Sequence, residues 1–209
     1  MPILAPVSLV FGICSSIGLL TLFGVTLAIV GAILAAICLI QIRRADGALG
    51  GRLLAHLGFG LSILFFVSSS CLHAYAFATE VPEGYRRVNF PREISMKKFV
   101  VENGKNQLHP DVQLLVDQPI YIKGYMYPSQ EQFELTSFVL LRDNGKCCFG
   151  GDPAPQDMIL VEMQQDQVVD FLSGLVAISG VLRANPNPNF GDPVYRIEGN
   201  HFGRAKTSF

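Results

Sequence analysis

The stretch "GKCCFGGDP", from Gly145 to Pro153, holds the residues best suited to chemistry in the polar part of the chain. Cys147 and Cys148 are adjacent, and Phe149, Gly150, Gly151 and Asp152 follow them into a tight turn. Three readings stand side by side. A metal site draws on about four ligands, usually in spaced pairs. Adjacent side chains on a regular strand point to opposite faces, so the pair would share one ion only in an irregular turn. The remaining metal candidates are His109 and His201, with Asp152 and Asp157 as further carboxylates. None of them has diagnostic spacing, and haem ligation meets the same shortage of ligands. A vicinal disulfide is strained, because neighbouring Cα atoms lie about 3.8 Å apart and disulfides prefer about 4.4–6.8 Å. In the third reading one thiol packs in a core and the other caps its mouth, as small buried cysteines commonly do. The residues favour this packing reading, and the loop remains the candidate functional spot.

Other chemistry is sparse. The sequence carries no P-loop, no H-E-x-x-H, no G-x-S-x-G and no spaced C-x-x-C. Tyr121, Tyr125 and Tyr127 alternate along one segment and form a potential stacking platform. The part from Thr79 onward, however, holds 13 Lys/Arg against 16 Asp/Glu, a charge of about −3 by difference, which disfavours phosphate backbones. Nucleic acid is therefore not an expected partner.

The elements that carry these residues fall into two halves. No charged side chain occurs from Pro6 to Ile42 or from Leu53 to Phe77. A bilayer span takes roughly 20 apolar residues. The first apolar stretch is too long for one upright helix, so a long, broken or tilted segment is expected, with its firmest span from Gly24 to Ile42. The piece before it reads as a short helix or a re-entrant segment. Leu53–Phe77 is the second span. Arg43, Arg44 and Arg52 crowd the loop between them, and short Arg-rich loops stay in the cytoplasm. That places the polar half outside, against the weaker pull of Arg86, Arg87, Lys97 and Lys98. Gly18, Gly24, Gly31, Ala35, Ala36, Gly58 and Gly60 suit close helix contact. Cys14, Cys38 and Cys71 read as packing residues, and His56 and His73 as interfacial groups satisfied by water or backbone.

Residues 79–118 read as a linker with short elements. Five strand signals follow within 119–209: Pro119–Pro128, Thr136–Asp143, Asp157–Met163, Leu175–Pro186 and Pro193–Phe202. Asp166–Gly174 reads as a short helix or bend. Gly124 and Gly180 fall mid-strand, where glycine marks a bend or bulge. The order predicts a small barrel of the OB type, with "CCFGGDP" at its rim.

Two resemblances sharpen this. "SLVFGI" and "LAAICLIQIRRADGALGGRLLAHLGFGLSIL" resemble a two-helix bacterial membrane domain of unknown function, an apolar hairpin joined by an Ile-Arg-Arg, Gly-rich turn. It covers roughly Pro6 to Phe66 and implies an anchor. "PIYIKGYMYPSQEQFELTSFVLLRDNGKCCFGGDPAPQDMILVEM", continued by "VAISGVLRANPNPNFGDPVYRIEG", resembles uncharacterised planctomycete-type proteins with a Cys-Cys-Phe-Gly motif. A related extracytoplasmic family occurs beside transporter components, which implies transport or envelope work.

The sequence therefore leads to an α+β membrane protein with three parts: a transmembrane helical hairpin over 1–78, a linker over 79–118 and an OB-like β-barrel over 119–209. The expected location is the inner membrane, multi-pass, with the second half extracytoplasmic. The expected role is a non-enzymatic accessory or binding protein of the bacterial envelope, in contact with lipid and another membrane or envelope protein, without a cofactor. The alternative is a thiol- or metal-dependent redox or metal-handling protein acting through Cys147 and Cys148.

Overall fold

The computed structural model describes residues 3–45, 50–102, 105–129, 131–144, 153–184 and 193–207. The chain divides into two compact units, Met1–Ala78 and Thr79–Phe209.

The first unit is helical. α1 (Leu4–Cys14) tightens into a 3₁₀ turn over Ser15–Leu19. The chain then breaks, and α2 (Leu22–Arg44) and α3 (Arg52–Ala78) come next. The break falls at Thr21, which is extended at φ −143° and ψ 147°. The first apolar stretch is thus two helices. α2 and α3 are 23 and 27 residues long, with mean hydropathy 2.7 and 1.7 over their most apolar 18 residues. Both are long and apolar enough to cross a bilayer.

The three helices pack through small side chains. The buried positions of α2 are Gly24, Ala28, Gly31, Ala35, Cys38 and Ile42, spaced alternately by four and three. α1 buries Ala5, Ser8 and Gly12, and α3 buries Ala55, Gly58, Ser62 and Ser69. A Cβ on Gly24 would lie 1.9 Å from the Gly18 amide nitrogen, and one on Gly12 would lie 2.8 Å from the Gly58 carbonyl. Backbones meet directly at both places. Gly60 faces open space instead. The large apolar residues point outward: Leu20, Phe23, Ile33, Leu53, Leu64 and Val67 are all exposed. The Ser8 and Ser15 hydroxyls donate to carbonyls on their own turns, Ala5 and Gly12, at 2.9 and 2.6 Å. His73 Nε2 lies 2.9 Å from the Gly18 carbonyl. That contact engages backbone where the first segment breaks.

The second unit is a sheet with small helical pieces. β1 (Arg86–Val88) leads into a π-helical turn, Phe90–Ile94. β2 (Phe99–Glu102) and β3 (Lys105–Leu108) form a separate hairpin, and the four-residue α4 (Pro110–Gln113) succeeds it. The main sheet continues with β4 (Pro119–Met126), β5 (Ser137–Leu141), β6 (Met158–Met163), β7 (Leu175–Ala184) and β8 (Tyr195–Arg204). Its order is β1-β4-β5-β6-β8-β7, and β4 also pairs with β7. The β1–β4 and β6–β8 pairs are parallel, the other pairs antiparallel.

Alternation along β4 turns Ile120, Ile122, Gly124 and Met126 to one side, and all four are buried. They join Leu140, Ile159, Val161, Ile178, Leu182 and Ile197 in the core. The β7–β8 register slips between Ser179 and Gly180. A Cβ at Gly180 would come within 2.2 Å of the Glu198 carbonyl, so the bulge needs glycine there. The segment 79–118, expected as a linker, belongs to this unit: Val88, Phe90, Ile94 and Leu115 are buried in the same core. Asp166–Gly174 is the bend rather than the helix. Val169 bridges to Leu135, and the Phe171 amide donates to the Gln132 carbonyl at 2.8 Å.

The close helix contacts give a paired test. Gly24→Ala overpacks the backbone at Gly18 and is expected to cost about 1–3 kcal/mol. Gly60→Ala, in open space, leaves the melting temperature in detergent unchanged or slightly raised. Equal melting of the two variants would contradict the packing described.

Candidate functional site

The outer side of β4, opposite the core set, carries Tyr121, Lys123 and Tyr125. A lysine in the middle of such a strand needs a counter-charge, and it finds one far away in sequence. Lys123 Nζ lies 2.6 Å from Glu80 Oε2, and the Glu80 side chain is 2% exposed. Arg87 Nη1 donates to the same oxygen at 2.8 Å. The parallel β1–β4 register sets Arg87 opposite Tyr121, which fixes its reach. Thr207, in the segment after β8, closes the set. Its hydroxyl donates to Glu80 Oε2 at 2.8 Å and its amide to Oε1 at 2.9 Å. Lys123 Nζ also donates to the Thr207 hydroxyl and carbonyl, at 2.6 and 2.9 Å.

Burial pushes the Glu80 carboxyl up. The hydrogen bonds from Lys123, from the Thr207 hydroxyl and amide, and from Arg87 outweigh burial and hold it at about 2. Burial pulls the Lys123 ammonium down, with Glu80 acting against it. The Tyr121 phenol is pushed up by burial and then by the Glu80 charge. Its ring lies 5.5 Å from the Arg87 guanidinium carbon and 6.0 Å from Lys123 Nζ. Its hydroxyl is buried beside the Glu80 carboxylate.

This cluster forms one wall of a recess of about 300 Å³. Tyr121, Lys123 and Tyr125 line it from β4, Arg87 and Phe90 from the β1 side, and Arg142 from the end of β5. Arg142 also belongs to a second charge network. Its Nη1 lies 2.9 Å from Ser95 Oγ and 3.3 Å from Asp157 Oδ1. Ser95 in turn donates to Asp157. The recess thus joins apolar and aromatic walls to cations, the usual make-up of a small-molecule site.

The residues singled out from sequence fare differently. Cys147, Cys148, Phe149, Gly150, Gly151 and Asp152 lie outside the described residues. His109 caps α4, accepting from the Asp111 amide at 3.1 Å, and its ring lies 3.6 Å from the Asp111 carboxylate. His201, on β8, meets the Tyr85 ring edge-on at 6.0 Å. Each histidine is engaged within its own neighbourhood. Asp157 is tied to Arg142 and Ser95. Among the described residues no group of three or more His, Cys, Asp or Glu is placed to hold a metal ion. Arg43 and Arg44 close the last turn of α2, and Arg52 opens α3, giving its carbonyl to His56 at 2.7 Å. Cys14, Cys38 and Cys71 are free thiols. Sequence reading misses Glu80, Arg87 and Arg142. The available signal is Lys123 itself, a charge set between Ile122 and Gly124.

No family model matches the sequence, and no curated protein matches it. Among solved structures, the crystal structure of a DUF3299 family protein from Pseudomonas aeruginosa PAO1 is similar at 18% identity, with a TM-score of 0.36. The likeness covers 46% of this chain and 65% of that one, short of two thirds of its length.

The Glu80 cluster sets a pH dependence. The folded carboxyl titrates at about 2, below its ordinary 4.5, so its stabilisation is complete above about pH 4.5 and is lost as the pH falls toward 2. The shift corresponds to roughly 3 kcal/mol. Glu80→Gln is expected to lose at least that much at pH 7, leaving Lys123 and Arg87 short of their counter-charge. Its stability should then vary little between pH 5 and pH 2, relative to the parent, in chemical denaturation at each pH.

Proposed function

We propose that this chain is a membrane-anchored, non-enzymatic binding protein of the bacterial cell envelope, acting as an accessory to another membrane or envelope protein. The observation that carries the anchor is the inverted packing of the first unit. Small and hydroxylated residues face inward while Phe23, Ile33, Leu53 and Leu64 face outward. Water would penalise that arrangement, whereas lipid makes it neutral and leaves helix association to close packing. α2 and α3 are the spans, and Arg43, Arg44 and Arg52 favour a cytoplasmic loop between them, with the β unit extracytoplasmic.

The binding role rests on the second unit. Its pairings run β4-β5-β6-β8-β7 and return to β4, with β6–β8 the parallel contact. That circuit supports a closed five-stranded barrel of the OB type, with β1 added outside β4. The recess beside the Glu80 cluster supplies a pocket of small-molecule size on that barrel.

Membrane fractionation with an alkaline wash tests the anchor. Retention in the pellet is the expected result, and release into the supernatant would overturn it. Protease treatment of spheroplasts tests orientation: the β unit should be digested, and a protected β unit would reverse the proposed placement.

A further inference from the structure

The Arg142 guanidinium is held in an unequal way. Its Nη1 edge is fixed inside the domain by Ser95 and Asp157. Its other edge, Nε and Nη2, meets a single carboxylate oxygen, Asp143 Oδ2, at 3.3 and 3.1 Å. A guanidinium fork is best matched by two oxygens, one to each N–H. One oxygen shared between two donors leaves that geometry incomplete. Asp143 is also the next residue in sequence and its side chain is 38% exposed, so this contact is the weak member of the Arg142 network. Arg87 and Lys123 differ, being locked onto the buried Glu80 carboxylate. Beside Arg142 the recess is lined by Tyr121, Tyr125, Phe90 and Leu175, a largely apolar bed for a flat body, and by the Glu93 carboxylate, which is paired with Arg86.

We propose that the recess binds a small organic anion, with its carboxylate or phosphate on the Arg142 fork and its apolar or aromatic body against Tyr121 and Tyr125. Asp143 occupies the fork when no ligand is bound and is displaced on binding. Arg87 and Lys123 share the single Glu80 charge and so leave one positive charge beside the recess, while the Glu93 carboxylate in its lining is offset by Arg86. A volume of about 300 Å³ suits a small molecule. The site lies on the outward face of β4, not in the core. The inference rests on the reading of the second unit as a binding module and is independent of the anchor.

The test is calorimetric titration of the full chain in detergent with two probes, benzoate and phenyl phosphate. Saturable one-to-one binding of either is expected, and the tighter probe identifies the head group. Arg142→Gln should weaken binding by about tenfold or more, and Arg142→Lys, which keeps the charge but loses the fork, should recover only part of it. Asp143→Asn should strengthen binding several-fold, because it removes the competing carboxylate. This variant leaves the Ser95 and Asp157 contacts in place and so covers the case in which Arg142→Gln fails to fold. Absence of binding by both probes would overturn the proposal. So would affinity that is unchanged, or weakened, in Asp143→Asn. Retention in the membrane pellet is unaffected by any of these outcomes, so failure here leaves the anchor reading standing.

Discussion

The Glu80 carboxylate ties the segment before β1 and the segment after β8 to the paired strands β1 and β4. An ionised carboxylate that is almost wholly shielded from water must recover its lost hydration from fixed donors. Glu80 takes them from β1, from β4 and from the segment after β8. The arrangement is reciprocal. Lys123 also lies largely out of water and directs its N–H groups at Glu80 and Thr207. With those atoms fixed, Arg87 stacks over Tyr121, and the Tyr121 ring becomes a rigid wall. The recess therefore owes its shape to a charge cluster behind it, and the cluster owes its strength to a sheet that brings β1 alongside β4.

The two units are packed in opposite ways. In the sheet, large β-branched and aliphatic side chains fill the interior, and the salt bridges of Arg183 with Asp117 and Glu198 stay at the surface. In the helices the large side chains are outside and glycine, alanine and serine are inside. On the proposed membrane reading, dispersion contacts between closely spaced backbones hold the helices, since apolar side chains would gain nothing by leaving lipid. Ser62 and Ser69 sit in that interior without a hydrogen-bond partner among the described residues, next to Gly31 and Gly18. Their value there is size: a larger residue would separate the helices.

Legibility tracks sequence distance. β4 is plain because Ile120, Tyr121, Ile122 and Tyr125 combine strand preference with alternation, which are local properties. The apolar helices are equally plain from composition. The break at Thr21 is harder to place, because no proline or charge marks it, and the close approach of Gly18 to Gly24 that accompanies it leaves no local signal. Residues 86–97 read as connection because Pro82, Gly84 and Pro91 look like punctuation. Burial of Val88, Phe90 and Ile94 comes from contacts with later strands and leaves no local trace. The Glu80 cluster is invisible for the same reason: its hydrogen bond to Thr207 spans 127 residues. The Cys147–Cys148 pair draws attention because it is contiguous, which is what a linear reading detects best.

The parallel contact of β6 with β8 also sets an order of events during synthesis. β8 fills the place between β6 and β7, so the sheet cannot complete itself until the last strand has emerged. The same holds for Glu80, which waits for Thr207. The helices come first and need nothing from the later strands. A nascent chain therefore passes through a stage in which its hydrophobic hairpin is made while the β unit is still open, with unpaired strand edges exposed to aggregation. Long-range pairing of this kind closes slowly. If the helices anchor the chain as proposed, tethering the open unit to a surface before it can close would keep such edges from meeting those of other copies freely in solution, so the helical segment would guard folding as well as serve as an anchor.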